Sequence, residues 1–388
     1  MRKTNWHIEW IDGGASRLND DLVGRWDKFF NYEGNVWQCR QFAVCWEQTI
    51  AVAQDWKPFT VYATDSMGHA VLYLLYAREG RVSGLWRTII EPVGAAAFDY
   101  QDPISIGDQM QSADWDSFWL DLSESLKSKF PKLGSLLIYR LTAPFAGTIA
   151  VARGKDAIAP ILYFGDAKTL SDVVRECGSS HRNNLKRRLK NAEKMGPVSM
   201  EVLSGPVVAG ALEEMFVMYD KQWGAGGASH SFQQPKAIAY FKSLALAADA
   251  LGILHFSRLK VGDDVWHWHF GLMYRGSLLW YKPTYNPDFS KYSPGMVHLA
   301  KLIENCLDRG GSEIDFGYGA EPYKFLWTKS GKTLYTYRVM GVDKMLTAAR
   351  VAEYYLQRCQ RVFTHTRTKI SGYLRSTTRE DGGEGGGQ

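Results

Sequence analysis

The strongest constraint on the fold is the order of strand-like and helix-like runs in the second half of the chain. A basic amphipathic stretch at 180–195 precedes a β-rich run at 198–203, and two helical stretches then lead to three β-rich runs within 253–285. A helix from Ser293 and a short β-rich run at 313–316 complete the order. A period of 3.6 predicts helices, and runs rich in β-branched and aromatic residues predict strands. The interleaving predicts an α/β fold with a mixed sheet.

The first half contains elements of the same kind. We predict a helix at 20–31, a β-hairpin over 59–77 that turns at Gly68, a helix at 115–129 and a strand at 136–140. The two halves share no residue-level identity, so the repeat is one of topology.

The length of 388 residues exceeds what one core covers, and about 150 residues per domain predicts two domains plus an appendage. We place domains at 1–170 and 171–342, a basic helical extension at 343–379 and an acidic glycine-rich tail at 380–388. The 45% apolar and 22% charged residues are ordinary for a globular protein.

Two features predict a cytoplasmic location. No run approaches the roughly 18 apolar residues of a membrane-spanning helix. The five cysteines are odd in number and widely spaced, which fits neither a disulfide framework nor a zinc pattern. The extension carries eight Lys or Arg against two acids, so peripheral contact with an anionic inner membrane face is a hypothesis.

The most informative stretch begins at Tyr285, a candidate for substrate binding. It leads into Lys291-Tyr-Ser-Pro-Gly-Met296, where Ser293 caps a helix, proline takes the first helical position and Gly295 lacks a side chain. Free N–H groups at a helix start bind anions, and Lys291 adds positive charge. We predict that Ser293, Gly295 and Met296 hold a phosphate group. The alternative is an ordinary helix start.

A second cluster runs from Asp315 to Lys324 and combines a strand end, glycine turns and a predicted helix. Tyr323 would protonate a leaving thiolate, and Asp315 or Glu321 would orient or deprotonate an acceptor. Glu321 and Lys324 are candidates for substrate binding. The alternative is that Tyr323 packs in the core and Lys324 is solvated.

Trp266-His-Trp-His-Phe270 alternates, so His267 and His269 share one face of a strand. A neutral imidazole could act as a general base, and the pair also resembles half of a metal site. No third ligand is near in sequence, so we predict no metal. Plain buried histidines are the remaining alternative.

The stretch from Arg182 to Lys194 forms a basic amphipathic helix with six Lys or Arg. Such a face is often only solvated. Its functional alternatives are a charged substrate, to which we assign Arg182, a coenzyme phosphate or a nucleic acid backbone.

Several of these stretches together resemble the GNAT-related acetyltransferase domain of the CelD/BcsL group, which acts in cellulose and exopolysaccharide production. The resemblance spans about residues 20–340. Its motifs are Phe98–Ile104, Arg182–Leu189, Tyr292–Gly295 and Asp315–Lys324 with Trp327.

The resemblance implies tandem GNAT-like (acyl-CoA N-acyltransferase) domains, similar in fold to the FemABX aminoacyltransferases, with acetyl-CoA as donor. It makes 293–296 the pyrophosphate loop and places Tyr323 beside the thioester sulfur. The usual GNAT loop, Arg/Gln-x-x-Gly-x-Gly/Ala, is reduced here to the single Gly295.

We therefore expect transfer of an acetyl group from acetyl-CoA to an amine or hydroxyl of a sugar or glycan precursor, by direct attack. Tyr323 would be the acid, and His269 or Asp315 the base. Nucleic acid is not expected as a partner. The alternatives are a FemABX-like aminoacyltransferase that uses charged tRNA, and a non-catalytic module that binds RNA or another polyanion.

Overall fold

The computed structural model describes residues 6–144, 151–153, 156–224 and 231–340. The predicted extension at 343–379 and the tail at 380–388 lie outside these residues.

The strands form one continuous mixed sheet. Their bounds are β1 His7–Asp12, β2 Lys57–Thr64, β3 Ala70–Val82, β4 Leu85–Pro92, β5 Ile104–Ser105, β6 Leu133–Leu141, β7 Val151–Arg153, β8 Ala157–Tyr163, β9 Val198–Leu203, β10 Leu254–Val261, β11 Asp264–Tyr274, β12 Ser277–Tyr285, β13 Glu313–Asp315 and β14 Gly331–Met340. The order across the sheet is β1-β2-β3-β4-β6-β14-β8-β13-β12-β11-β10-β9, with β5 beside β3 and β7 beside β14.

Helices cover both faces of the sheet. Their bounds are α1 Asp20–Tyr32, α2 Arg40–Trp46, α3 Ser112–Lys129, α4 Leu170–Val173, α5 Ser179–Glu193, α6 Val207–Trp223, α7 Pro235–Ala250 and α8 Pro294–Asp308. The mixed α/β prediction is confirmed. The predicted hairpin is β2–β3, and Gly68 at its turn has φ +90°, a value that favours glycine.

The C-terminal strand β14 lies between the two halves. Its first residues pair with β8 and its last residues pair with β6 and β7. β8, which the sequence assigned to the first domain, also pairs with β13 of the second half. The pairing therefore joins the predicted domains within one sheet.

The largest hydrophobic cluster also spans both halves. Trp37 from the first half contacts the Tyr281 ring with centroids 4.8 Å apart, and Phe30 stacks on Tyr274 at 4.6 Å. On the other side of the second half, α8 packs Leu299 and Ile303 against the β12–β13 region. These contacts fix the positions of β12 and α8, which carry the site.

One predicted element is wrong. The helix expected at Tyr323 is only a three-residue 3-10 turn, Lys324–Leu326. Gly317 and Gly319 take positive φ values of 63° and 121°, so the chain turns twice just before Tyr323, and the helical conformation that follows ends at Leu326.

Candidate active site

A cavity of about 850 Å³ opens between the two halves. Parallel pairing between β12 and β13 covers Ser277–Leu279 of β12. Among the residues that the structure describes, the edge of β12 from Trp280 to Tyr285 has no strand partner on that side, and it lines the cavity. An unpaired strand edge presents main-chain N–H and C=O groups that a ligand can use.

The start of α8 forms one end of the cavity. Ser293 and Gly295 both line it, as does Met296. Ser293 is the N-terminal flanking residue of the helix but its side chain makes no cap, and its φ of 57° is in the left-handed region. A Cβ at Gly295 would lie 3.3 Å from Nε2 of His267. The missing side chain therefore keeps open the space in front of the helix start.

Lys291 does not line this cavity. Its ammonium group lies 5.0 Å from the centre of the Tyr292 ring, and its carbonyl accepts a hydrogen bond from Arg188 of α5. The basic helix α5 is therefore adjacent to the loop that leads into α8.

Tyr323 lines the cavity beside Trp280. Its hydroxyl accepts a hydrogen bond from the Trp280 indole N–H at 3.0 Å, which leaves the Tyr323 O–H free to donate. Burial raises the pKa of Tyr323 to about 12, an effect that the Trp280 hydrogen bond partly opposes. The hydroxyl is therefore protonated at neutral pH.

Glu321 and Lys324 form an ion pair of 2.7 Å on the cavity wall. The Lys324 side chain is 5% exposed, and its ammonium group also donates to the carbonyls of Tyr318 and Gly319 at 3.3 and 3.2 Å. The alternative of a solvated Lys324 is wrong. This lysine holds the two glycine turns together.

Asp315 lies outside the cavity, and both of its carboxylate oxygens are occupied. One accepts the Tyr100 hydroxyl at 2.5 Å and the other accepts the Gly317 N–H at 2.8 Å. Burial raises the pKa of Asp315, while the Tyr100 hydrogen bond lowers it. This arrangement joins the first half to the loop before Tyr323 and gives Asp315 a structural position.

Removal of the Tyr100 hydroxyl should destabilise the protein. A Tyr100→Phe change leaves a buried carboxylate oxygen without its donor, so we expect the free energy of unfolding to fall by about 1–3 kcal/mol. Urea denaturation would measure it, with Tyr163→Phe on the exposed end of β8 as the control. Equal stabilities for the two variants would contradict the role of this bond.

The two predicted histidines have different surroundings. They share one face of β11, as predicted, and both stack on the Trp280 ring. His267 lines the cavity, and its Nδ1 lies 2.8 Å from Nδ1 of His298. His269 is fully buried and is not part of the cavity wall. Burial lowers the pKa of His267 to about 3 and lowers that of His269 as well, so both are neutral and disfavour gaining a proton.

The two remaining predicted residues are also separated. Tyr285 lines the cavity, and its N–H donates to the Gln222 side chain at 2.9 Å. Arg182 is away from the cavity, where its guanidinium donates to the carbonyls of Arg175 and Cys177. Arg182 therefore closes the turn before α5.

Three charged residues of the cavity wall were not predicted as site residues: Asp99, Arg140 and Lys282. Asp99 and Arg140 come from the first half, and their side chains lie 3.8 Å apart. Burial raises the pKa of Asp99 to about 6, although the charges of Arg140 and Lys282 lower it. Two sequence features could have identified site residues here. Asp99 belongs to the Phe98–Ile104 motif, and Lys282 is a charged residue within an otherwise apolar strand.

Residues 179–325 match the acetyltransferase (GNAT) domain family. The fold is GNAT. The matched segment contains the helix start at Gly295, the β12 edge and Tyr323. No curated protein matches the chain in sequence.

Solved structures with the same fold align with 86–87% of this chain. FemX aligns with a TM-score of 0.55 at 10% identity, covering 86% of this chain and 97% of FemX. A C-terminal domain assigned to a lysylphosphatidylglycerol synthetase from Agrobacterium fabrum gives 0.52 at 11% identity, with 87% and 95% covered. A tandem GNAT protein from the clavulanic acid biosynthesis pathway gives 0.50 at 9%, with 87% and 100% covered. The tandem GNAT expectation is confirmed as a fold, and this fold supports acyl transfer. The narrower CelD/BcsL resemblance stays a prediction.

Within the described ranges, the structure contains no group of three or more His, Cys, Asp or Glu side chains that could hold a metal ion. Over the same ranges, it contains no helix long and apolar enough to cross a membrane.

Proposed function

We propose that this protein transfers an acyl group from a coenzyme A thioester to an amine or hydroxyl of a sugar or glycan precursor. One observation carries the proposal: the open helix start at Gly295, the protonated Tyr323 hydroxyl and the Asp99 carboxyl line the same cavity. An anion site, an acid and a base are the groups that direct acyl transfer requires.

The donor end fits a coenzyme A thioester in two respects. The space before α8 would be narrowed by any side chain at 295. Pro294 has no N–H and those of Met296 and Val297 donate to the Ser293 carbonyl, so the helix start offers the Gly295 N–H and the positive end of its dipole to a phosphate oxygen. The unpaired β12 edge offers main-chain groups to an extended amide chain. The thioester supplies an activated acyl carbon when it is bound. The cavity volume is within the usual range for ligand sites of about 300–1,000 Å³.

Asp99 is the base that we favour in place of His269 or Asp315. It faces the cavity, and a pKa of about 6 leaves the carboxylate ionised at neutral pH yet able to accept a proton. Its Oδ2 would lie 2.4 Å from a Cβ at Gly317, so Asp99 approaches the loop that leads to Tyr323. As the acceptor bonds to the acyl carbon, its proton moves to Asp99. The carbon–sulfur bond breaks, and the sulfur takes the Tyr323 proton.

Replacement of the Tyr323 hydroxyl should slow the reaction without weakening donor binding. We expect Tyr323→Phe to lower kcat by roughly 100-fold, because general-acid catalysis contributes on the order of 10²–10⁴. The loss of kcat in this variant should be smaller with an aryl thioester as donor, because an aryl thiolate leaves readily without being protonated. Thiol release would be followed for both donors, with Tyr163→Phe as control. A fully active Tyr323→Phe enzyme excludes the acid role.

A second candidate donor is an aminoacyl-tRNA. The observation in its favour is the contact between Arg188 of the basic helix α5 and the Lys291 carbonyl, which sets α5 beside the proposed phosphate site. Similarity in fold to FemX and to a lysylphosphatidylglycerol synthetase domain agrees with it.

Calorimetry distinguishes the two donors. Micromolar binding of acetyl-CoA, with thiol release on addition of an amino sugar, supports the first proposal. Salt-sensitive binding of charged tRNA without affinity for acetyl-CoA supports the second. For the acceptor, we favour amino sugars on the CelD/BcsL resemblance, and release of thiol only with amines other than sugars would contradict that choice.

A further inference from the structure

The cavity wall carries more positive than negative charge. Its wall contains Arg140, Lys282 and Lys324, against Asp99 and Glu321. Lys324 is paired with Glu321 at 2.7 Å. The ion-pair contact of Arg140 with Asp99 measures 3.8 Å, a distance too long for a hydrogen bond. Among the described residues, Lys282 has no carboxylate within 4 Å, so its charge has no direct ion-pair partner.

Arg140 is held in an unusual backbone conformation. The register between β6 and β14 shifts at this point, since Leu141 pairs with Tyr335 and Ile138 with Tyr337. Arg140 occupies the resulting bulge with φ 50°, a region that favours glycine. Bulges of this kind redirect a side chain, and backbone strain of this kind accumulates at functional sites. Here the bulge directs an arginine into the cavity.

Neighbouring residues orient the Arg140 guanidinium but leave part of its hydrogen-bonding capacity without an acceptor among the described residues. One nitrogen donates to the Phe98 carbonyl at 2.6 Å, and the group stacks 3.9 Å from the centre of the Tyr318 ring. No other acceptor for it is found in the part of the chain that the structure describes. Lys282, from β12 of the other half, lies over the Tyr281 ring at 4.9 Å. Burial lowers the pKa of Lys282, the charge of Asp99 opposes this effect, and the charge of Arg140 lowers the pKa further. A bound anion would offset the repulsion between the two cations.

We propose that Arg140 and Lys282 form a site for an anionic group of the acceptor, a carboxylate or a phosphate. The assignment of the anion to the acceptor rests on the proposed function, whereas the anion site itself rests on the positions of Arg140 and Lys282 in the cavity wall. A planar guanidinium and an ammonium group together bind such an anion through charge-assisted hydrogen bonds. Both halves thereby contribute to the acceptor end of the cavity, Arg140 from β6 and Lys282 from β12, whereas the donor end belongs to the second half.

The test uses the full-length protein and two variants, Arg140→Gly and Lys282→Met. Inorganic phosphate and acetate are titrated separately by NMR, and each variant should weaken binding of the preferred anion about tenfold or more. Arg140→Gly relieves the positive-φ strain but removes the hydrogen bond to the Phe98 carbonyl, so the Tm of both variants is measured to establish that each is folded under the titration conditions. Lys301→Met, on the surface of α8, is the matched control and should bind as the unmodified protein does.

The second part compares glucosamine, glucosamine 6-phosphate and muramic acid as acceptors by thiol release from acetyl-CoA. A lower KM for the phosphorylated sugar identifies phosphate, and a lower KM for muramic acid identifies carboxylate. This preference should disappear in both variants. Unchanged anion binding in both variants overturns the inference, whatever the activity. Variant-sensitive anion binding without any thiol release supports the anion site and counts against the proposed acyl transfer alone.

Discussion

Replacement of Asp99 by asparagine should abolish most of the activity and at the same time stabilise the protein. If the carboxylate accepts the acceptor's proton, its loss should reduce kcat by roughly 10²–10⁴. The pKa of about 6 predicts that kcat/KM of the unmodified enzyme rises with pH up to about 6 and then levels off. In the Asp99→Asn variant, this rise of kcat/KM with pH should be absent.

The stability effect has a definite sign. The pKa of Asp99 is raised from 3.8 to about 6, so the folded state binds this proton more tightly than the unfolded state. The resulting stability is fully present below pH 3.8 and is lost as the pH rises through about 6. At pH 8 the buried carboxylate is therefore unfavourable. We expect Asp99→Asn to raise the free energy of unfolding by roughly 1–3 kcal/mol.

Asp102 supplies a matched control for Asp99. It follows in the same loop, and burial raises its pKa to about 6 as well, but its carboxylate accepts two hydrogen bonds from Thr142 and does not line the main cavity. Asp102→Asn should leave kcat near that of the unmodified protein. Activity assays across pH 5–9 and urea denaturation at pH 8 would compare the two. An equal loss of activity in both variants would refute the base role of Asp99.

Introduction of valine at Gly295 should remove donor binding. The added Cβ would already lie 3.3 Å from His267, and the branched methyl groups would extend into the space before α8. The Gly295 N–H at the helix start would then be inaccessible to phosphate oxygens. We expect the affinity for acetyl-CoA to fall at least 100-fold, as measured by calorimetry.

The control for Gly295→Val is the same substitution at Gly178. Gly178 precedes the start of α5, and a Cβ there would meet no atom within 4 Å. Gly178→Val therefore tests whether valine at a helix start is harmful in itself, and the acetyl-CoA affinity of this variant should be unchanged. If Gly295→Val binds acetyl-CoA normally, the phosphate site is elsewhere.

Local patterns predicted most elements of the second half because each one depends on residues near in sequence. The Ser-Pro-Gly start of α8 and the β10–β12 meander are examples. The positions of β8 and β14 could not be predicted, because their pairing joins residues that are about 170 apart in sequence. For the same reason, Tyr323 and Gly295 were identified from their own motifs, whereas Asp99 and Arg140 were not. Their role depends on the approach of one half to the other.

The placement of β14 has a consequence for dissecting this protein genetically. A fragment that ends near residue 330 would lack the strand that pairs with both β6 and β8, so two hydrogen-bonding edges would be left bare in the middle of the sheet. Separate expression of the halves would therefore yield aggregating products, and co-expression would be needed for them to complement each other.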